Sequence, residues 1–256
     1  MKNLNYDKEM QKYFEGNRNL YHQLKILDAK KNEIRELHDK YGSLNKPIVI
    51  TISGTPRAGK TTCVENLAEF FKKCDLRTSV LEEPAGLIYA TLKNREEKKI
   101  LLQDRIGFVE RQYEVGTQSI KSKIEENDIL ICDRGNIDPF IWYDMYYHMG
   151  MIDKSRYFEF LKLLQEKRNY IELFYALYTR SNISMIRDYI NSLSIEPRTT
   201  MNAENVERYN EALMRMYQII GIEKEESMLI DTSDKERMDA SIIIANDVLK
   251  RIKALY

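Results

Sequence analysis

The sequence has few cysteines, no apolar run long enough to cross a membrane, and no excess of charge of either sign. Its 256 residues include three cysteines, Cys63, Cys74 and Cys132, an odd number without metal-ligand spacing, which indicates a reduced, cytoplasmic setting. The first ten residues lack the apolar core of a signal peptide, so we expect no membrane partner. Forty basic residues balance forty acidic ones, which argues against a general nucleic-acid binder but not against a site for one phosphorylated small molecule.

Residues 1–46 differ from the rest of the chain. They are polar, and they carry apolar residues at spacings of three, four and seven, as on one face of a helix. These apolar residues are Leu20, Leu24, Leu27, Ile34 and Leu37. The residues from Gly42 to Pro47 then interrupt the pattern. We therefore predict a helical N-terminal arm, 1–46, and a main domain, 47–256, and we expect the apolar face of the arm to be buried against that domain or a second subunit.

From residue 48 onward, short apolar runs alternate with helical stretches. The first run, Ile48 to Ser53, is nearly continuous and β-branched, which is typical of a strand buried on both faces. The other runs lie at 78–81, 129–132, 173–177 and 228–230, and the helical stretches at 60–73, 96–126, 137–168, 203–220 and 235–253. This alternation predicts βαβ units and a parallel sheet with helices on both faces, which is a three-layer α/β fold.

A phosphate-binding motif follows the first strand. Residues 54–61 read Gly-Thr-Pro-Arg-Ala-Gly-Lys-Thr, which matches G-x-x-x-x-G-K-[ST] without a mismatch. Backbone N–H groups of such a P-loop point at phosphate oxygens, Lys60 reaches the β- and γ-phosphates, and Thr61 places its hydroxyl on Mg²⁺. We therefore predict ATP and Mg²⁺ as cofactors. The predicted cofactor-binding residues here are Gly54, Thr55, Pro56, Arg57, Ala58, Gly59, Lys60, Thr61 and Thr62.

Acidic residues follow the second and third apolar runs. Asp133 ends the third run, where the carboxyl edge of a parallel sheet faces the ligand, and is a candidate to hold Mg²⁺ together with Thr61. Arg134 is a candidate to neutralise phosphate charge. Glu83 follows the second run, and Pro84 fixes the backbone beside it, so Glu83 is a candidate general base or a sugar-binding group. The alternative is an ordinary strand end with solvated charges.

Two later segments carry the remaining candidates. Arg105, Phe108 and Gln112 share one face of a predicted helix and offer a cation, a ring and an amide to an aromatic base, although Phe108 is equally explained as a core residue. The polar segment 180–202 is predicted to be a lid, because mobile segments with arginine close over a transferring phosphoryl group. Arg198 is its catalytic candidate and Arg187 its nucleotide-binding candidate, and a helix cap or a solvated charge is the alternative for each.

These motifs occur in the order found in one group of kinases. The P-loop, the segments 83–86 and 101–105 and the Asp133-Arg134 strand end resemble thymidylate kinases, and 140–147 is similar to deoxynucleoside kinases. The resemblance spans about residues 48–250 and implies a five-stranded parallel sheet of the P-loop NTPase fold with the P-loop strand in the centre. It also implies that Glu83 contacts the acceptor sugar, that Arg105 and Arg134 contact phosphates, and that the protein is a homodimer.

The sequence therefore predicts an ATP-dependent phosphotransferase with a small acceptor, a nucleoside or a nucleoside monophosphate. A nucleoside hydroxyl needs a base, which Glu83 or Asp133 could supply, whereas a monophosphate needs arginine clamps, and the chain carries both kinds of residue. A kinase of another small metabolite or of a polynucleotide end, and a regulatory P-loop NTPase, are the alternatives. A GTPase is disfavoured because the chain lacks an Asn/Thr-Lys-x-Asp motif.

Overall fold

The fold centres on one parallel β-sheet. The structure is a computed structural model that describes residues 18–192, 202–224, 227–235 and 238–256. In these residues the sheet has five strands in the order β2-β3-β1-β4-β5. The strands are β1 (Ile48–Gly54), β2 (Thr78–Leu81), β3 (Ile129–Asp133), β4 (Ile171–Tyr178) and β5 (Ser227–Asp231). The parallel five-stranded sheet with the P-loop strand in the centre, predicted from the sequence, is therefore confirmed.

Helices connect the strands and cover both faces of the sheet. They are α1 (Arg18–Tyr41), α2 (Lys60–Lys72), α3 (Pro84–Ala90), α4 (Arg95–Gln103), α5 (Arg105–Lys123), α6 (Asp138–His148), α7 (Lys154–Leu161), α8 (Ser181–Ser192), α9 (Ala203–Lys224) and α10 (Asp239–Leu255). The predicted helical stretch 96–126 is two helices, because the side chain of Asp104 accepts a hydrogen bond from the Gly107 N–H and caps a new helix there. Within the described ranges, no helix is long and apolar enough to cross a membrane.

Two hydrophobic clusters hold the layers together. On one face of the sheet, α2, α10 and α1 pack against β1, and on the other face α6 and α9 pack against β4. Every residue of β1 is buried, because β1 is paired on both edges and covered on both faces. The clusters therefore fix the carboxyl end of β1, where the P-loop begins.

Helix α1 belongs to the same hydrophobic cluster as β1. Its residues Leu27 and Ile34 are buried in that cluster, and Leu37 packs against it. Polar contacts support the packing on α10, where Lys30 Nζ donates to Asn246 Oδ1 at 2.9 Å. The apolar face of the predicted arm is therefore buried within its own chain at these positions, while the side chains of Leu20 and Leu24 lie outside the described residues.

Candidate active site at the carboxyl ends of the strands

The P-loop joins β1 to α2 through two glycines with left-handed φ angles. Gly54 has φ 146°, and a Cβ atom added there would lie 2.0 Å from the carbonyl oxygen of Leu177 in β4, so only glycine fits this close approach. Gly59 has φ 90° and precedes the first turn of α2. The first N–H groups of α2 have no partner within the helix, so they are available to an anion bound in the loop.

Lys60 lies folded over this loop. Its Nζ donates hydrogen bonds to the carbonyl oxygens of Gly54 at 2.9 Å and Thr55 at 2.8 Å. The residue is only 6% exposed. Its ammonium group is therefore held by the backbone at the place where the motif predicts a triphosphate.

Four charged side chains from the ends of β2 and β3 and from the start of α6 act on Lys60. Burial and, to a smaller extent, the charge of Arg134 lower the pKa of Lys60 to about 7, although the carboxylates of Asp138, Asp133 and Glu83 act to raise it. An ordinary lysine titrates near pH 10.4, so Lys60 loses part of its charge at neutral pH. The predicted donor-side lysine and the predicted acceptor-side groups thus share one electrostatic site.

Thr61 and Asp133, the predicted Mg²⁺ contacts, lie together. The hydroxyl of Thr61 donates to Oδ2 of Asp133 at 2.9 Å. A hydroxyl and a carboxylate are the oxygen ligands that Mg²⁺ prefers, usually beside waters and substrate phosphates, so this pair fits the ion. In the part of the chain that the structure describes, no group of three or more His, Cys, Asp or Glu residues is placed to hold a metal ion.

Glu83 and Arg134 form an ion pair beside the P-loop. Glu83 Oε1 lies 2.9 Å from Arg134 Nε, and Asp138 Oδ1 lies 3.5 Å from Arg134 Nη1. Burial alone would lower the pKa of Arg134, but Asp138 and Glu83 outweigh burial and hold that pKa above its ordinary value. The guanidinium charge is therefore offset by two carboxylates before any ligand binds.

The predicted base-binding residues lie on α5. Phe108 is buried, stacks on Tyr89 with ring centroids 5.4 Å apart, and packs against Ile88. Gln112 is buried one turn further along α5, and Arg105 is exposed at its first residue. The structure thus places Phe108 in a small apolar cluster between α3 and α5, and the roles of these three residues toward an acceptor remain predictions.

Arg187 lies on α8 and bridges two loops at the same edge of the sheet. Its Nη2 donates to the carbonyl oxygen of Thr232 at 2.9 Å, and its Nη1 donates to the carbonyl oxygen of Arg57 at 3.4 Å. It therefore links the P-loop to the loop that follows β5. Arg198, the catalytic candidate in the predicted lid, lies outside the described residues.

Asp138 is a central residue of the site that sequence reasoning missed. It is only 1% exposed, and its carboxylate accepts hydrogen bonds from the Tyr209 hydroxyl at 2.8 Å, from Trp142 Nε1 at 2.9 Å and from the Ser53 hydroxyl. The sequence signal is weak, because an Asp before Pro at the start of a helix is common and its partners are distant in sequence. Asp138 connects the last residues of β1 to Arg134 and to α9.

Asn210 of α9 was also missed, and it braces the start of the P-loop. The Thr55 hydroxyl donates to Asn210 Oδ1 at 2.6 Å, and Asn210 Nδ2 donates to the carbonyl oxygen of Thr179 at 2.9 Å. The Thr179 N–H in turn donates to Thr55 Oγ1 at 3.0 Å. These buried hydrogen bonds connect Thr55, Thr179 and Asn210 in a closed set. They fix the P-loop relative to the end of β4 and to α9.

Comparisons with known proteins agree with this fold. Two structures of deoxyadenosine kinase from M. mycoides match the chain: the one with bound dATP has a TM-score of 0.58 and 14% identity and covers 78% of this chain and 98% of that one. The one with bound dCTP has a TM-score of 0.52 and 16% identity and covers 79% and 99%. At these identities the likeness shows a shared fold, so the predicted resemblance to the deoxynucleoside kinase fold is confirmed. A comparison with curated protein sequences gives no match.

A family model described as an AAA domain matches residues 49–227. The match begins in the P-loop strand, includes the strand ends that carry Glu83 and Asp133, and extends to the first residue of β5. It therefore covers the nucleotide-binding loop and most of the sheet. The chain belongs to the AAA domain family.

Proposed function

We propose that the chain is an ATP-dependent kinase that phosphorylates a hydroxyl group of a nucleoside. The observation that carries the proposal is the shared electrostatic site, in which the P-loop residue Lys60 interacts with Glu83, Asp133 and Arg134. A donor lysine and candidate acceptor groups at one sheet edge suit the direct transfer of a phosphoryl group from ATP to a second substrate. The fold shared with deoxyadenosine kinases supports the proposal.

On the donor side, the backbone N–H groups of the P-loop and of the first turn of α2 would bind the phosphates. Lys60 would exchange its two carbonyl partners for phosphate oxygens and place its charge where negative charge develops during transfer. Mg²⁺, held by Thr61 and Asp133, would supply further neutralisation of the triphosphate.

On the acceptor side, Glu83 is the proposed general base. It precedes the first turn of α3, its side chain is 43% exposed, and Arg134 fixes its position at 2.9 Å. A carboxylate held in this way accepts the proton of an attacking hydroxyl while remaining accessible to the acceptor. Arg134 is then a positioning residue for Glu83 as well as a group close to the transferred phosphoryl.

The charge arrangement favours a nucleoside over a nucleoside monophosphate. A monophosphate acceptor needs cations that are free to form charge-assisted hydrogen bonds with its phosphate. Arg134 is instead paired with both Glu83 and Asp138, so an acceptor phosphate there would meet two carboxylates. An uncharged hydroxyl beside Glu83 meets no such repulsion.

The test is a panel of acceptors assayed for ADP formation with the full chain, ATP and Mg²⁺. Nucleosides should raise ADP formation above the rate without acceptor, and nucleoside monophosphates should not. Stimulation by monophosphates alone would overturn the assignment of the acceptor. ATP hydrolysis that no acceptor on the panel changes would instead support the regulatory NTPase alternative.

A further inference from the structure

Helix α8 is docked on the P-loop by side chains from both segments. The Ser184 hydroxyl donates to the carbonyl oxygen of Pro56 at 2.8 Å. Arg57 Nε donates to Asp188 Oδ1 at 2.7 Å, and Arg187 contacts the backbone of Arg57. Ser184, Arg187 and Asp188 lie at i, i+3 and i+4 on one face of α8, so the helix and the loop are held as one unit.

Arg57 has an unusual backbone conformation for its residue type. Its φ angle is 61°, in the left-handed region that favours glycine, and the P-loop motif leaves this position open to any residue. The Arg57 side chain forms an ion pair with Asp188. The Arg57 side chain is 25% exposed, and the Asp188 side chain is 11% exposed. A strained residue whose side chain makes a half-buried ion pair indicates a function for that side chain.

We infer that Arg57 and Asp188 are a positioning pair for the nucleotide donor, which fixes α8 and thereby Arg187 against the P-loop. The inference rests on the proposed function, because it concerns the binding of ATP. Arg57 Nε is already bound to Asp188, so the pair acts on the nucleotide through the placement of α8. Arg187 reaches from this helix to the carbonyl oxygens of Thr232 at 2.9 Å and Ser233 at 3.3 Å, so a displaced α8 would displace that bridge.

The Arg57–Asp188 ion pair predicts how single substitutions change ATP binding. Removal of either partner leaves the other side chain unpaired in a half-buried position, where an uncompensated charge is costly. Arg57→Gly and Asp188→Asn should therefore weaken ATP binding in the same direction, and the double variant should be no weaker than the single ones. A direct contact between Arg57 and phosphate would predict weakening by Arg57→Gly only.

The experiment is isothermal titration calorimetry of the full chain with MgATP and, separately, with inorganic tripolyphosphate. Arg57→Gly suits the left-handed backbone, and thermal melting confirms that each variant is folded. The matched control is Glu69→Gln, which removes an exposed ion pair between Glu69 of α2 and Lys73, the residue that follows α2. We expect each single variant to raise the Kd for ATP about tenfold, which corresponds to the loss of one well-placed interaction, and to change the Kd for tripolyphosphate less than about twofold.

A charge swap supplies the second arm of the test. Arg57→Asp combined with Asp188→Arg restores opposite charges, and Asp tolerates the left-handed region, so ATP affinity should return to within about threefold of the unmodified chain. Normal ATP affinity in both single variants, or weakened tripolyphosphate binding in Arg57→Gly alone, would overturn the inference while leaving the kinase proposal intact. Failure of the unmodified chain to bind ATP would overturn both.

Discussion

The lowered pKa of Lys60 predicts that ATP binding is coupled to the uptake of a proton. In the ligand-free protein burial and Arg134 lower the pKa of Lys60 to about 7, so the group is mostly neutral at pH 8. A bound triphosphate places negative charges beside the amine and should return its pKa toward the ordinary value. The lysine must then bind a proton as the nucleotide binds.

The size of the effect follows from the titration curve. With a pKa of about 7, a fraction of about 10/11, or roughly 0.9, of the amine is deprotonated at pH 8, so roughly 0.9 proton should be taken up for each ATP bound. Uptake means that affinity falls as pH rises, and linkage gives an increase in Kd of about eightfold per pH unit near pH 8. The pH range in which ATP affinity falls begins near pH 7, which is the pKa of Lys60 in the free protein.

Calorimetry in two buffers with different ionisation enthalpies measures this proton number directly. Lys60→Met is the matched variant, because Met fills a similar space without a titrating group, and its proton uptake at pH 8 should vanish. The reasoning would be refuted by an uptake below about 0.2 proton at pH 8, well short of the amount that the lowered pKa requires, or by an uptake that Lys60→Met leaves unchanged.

Further predictions concern the acceptor, the metal, the buried network and the assembly. Glu83→Gln should lower kcat about a hundredfold without changing ATP affinity, because the general base is lost, and steady-state kinetics that match the unmodified enzyme would exclude this role. Excess EDTA should stop turnover but leave the melting temperature unchanged, and full activity in EDTA would contradict the predicted contacts Thr61 and Asp133. Asp138→Asn should lower the free energy of unfolding by about 3 kcal/mol in urea denaturation, because a buried carboxylate with several donors is neutralised; a change under about 1 kcal/mol would contradict this. Sedimentation velocity should show a homodimer, and a monomer at all concentrations would rule it out.

The fold was predictable because its signals are local and agree with one another. A β-branched run, a complete P-loop motif and an amphipathic helix follow one another between residues 48 and 72, and the structure forms β1, the loop and α2 from them. The four-residue run at 78–81 forms β2 with the predicted bounds. Hydrophobic periodicity did not reveal the break at Asp104, because a capping side chain leaves the apolar pattern on either side unchanged.

The contacts within the site were less predictable because they join residues that are far apart in the chain. Asp138 meets Ser53 across 85 positions, and Arg57 meets Asp188 across 131. No local pattern encodes such a pair, since each partner alone has the properties of an ordinary polar residue. Phe108 shows the same limit, because helical spacing does not distinguish a ring in a small apolar cluster from a ring that faces a ligand.

The proposed function is tested most directly by measuring the transfer of the terminal phosphoryl group from ATP to a nucleoside. The full chain would be incubated with γ-labelled ATP, Mg²⁺ and a mixture of nucleosides, and the labelled products would be separated by chromatography. The site described above predicts label in a nucleoside monophosphate, and none there with Lys60→Ala. Label found only in inorganic phosphate, or transfer that Lys60→Ala does not diminish, would contradict it.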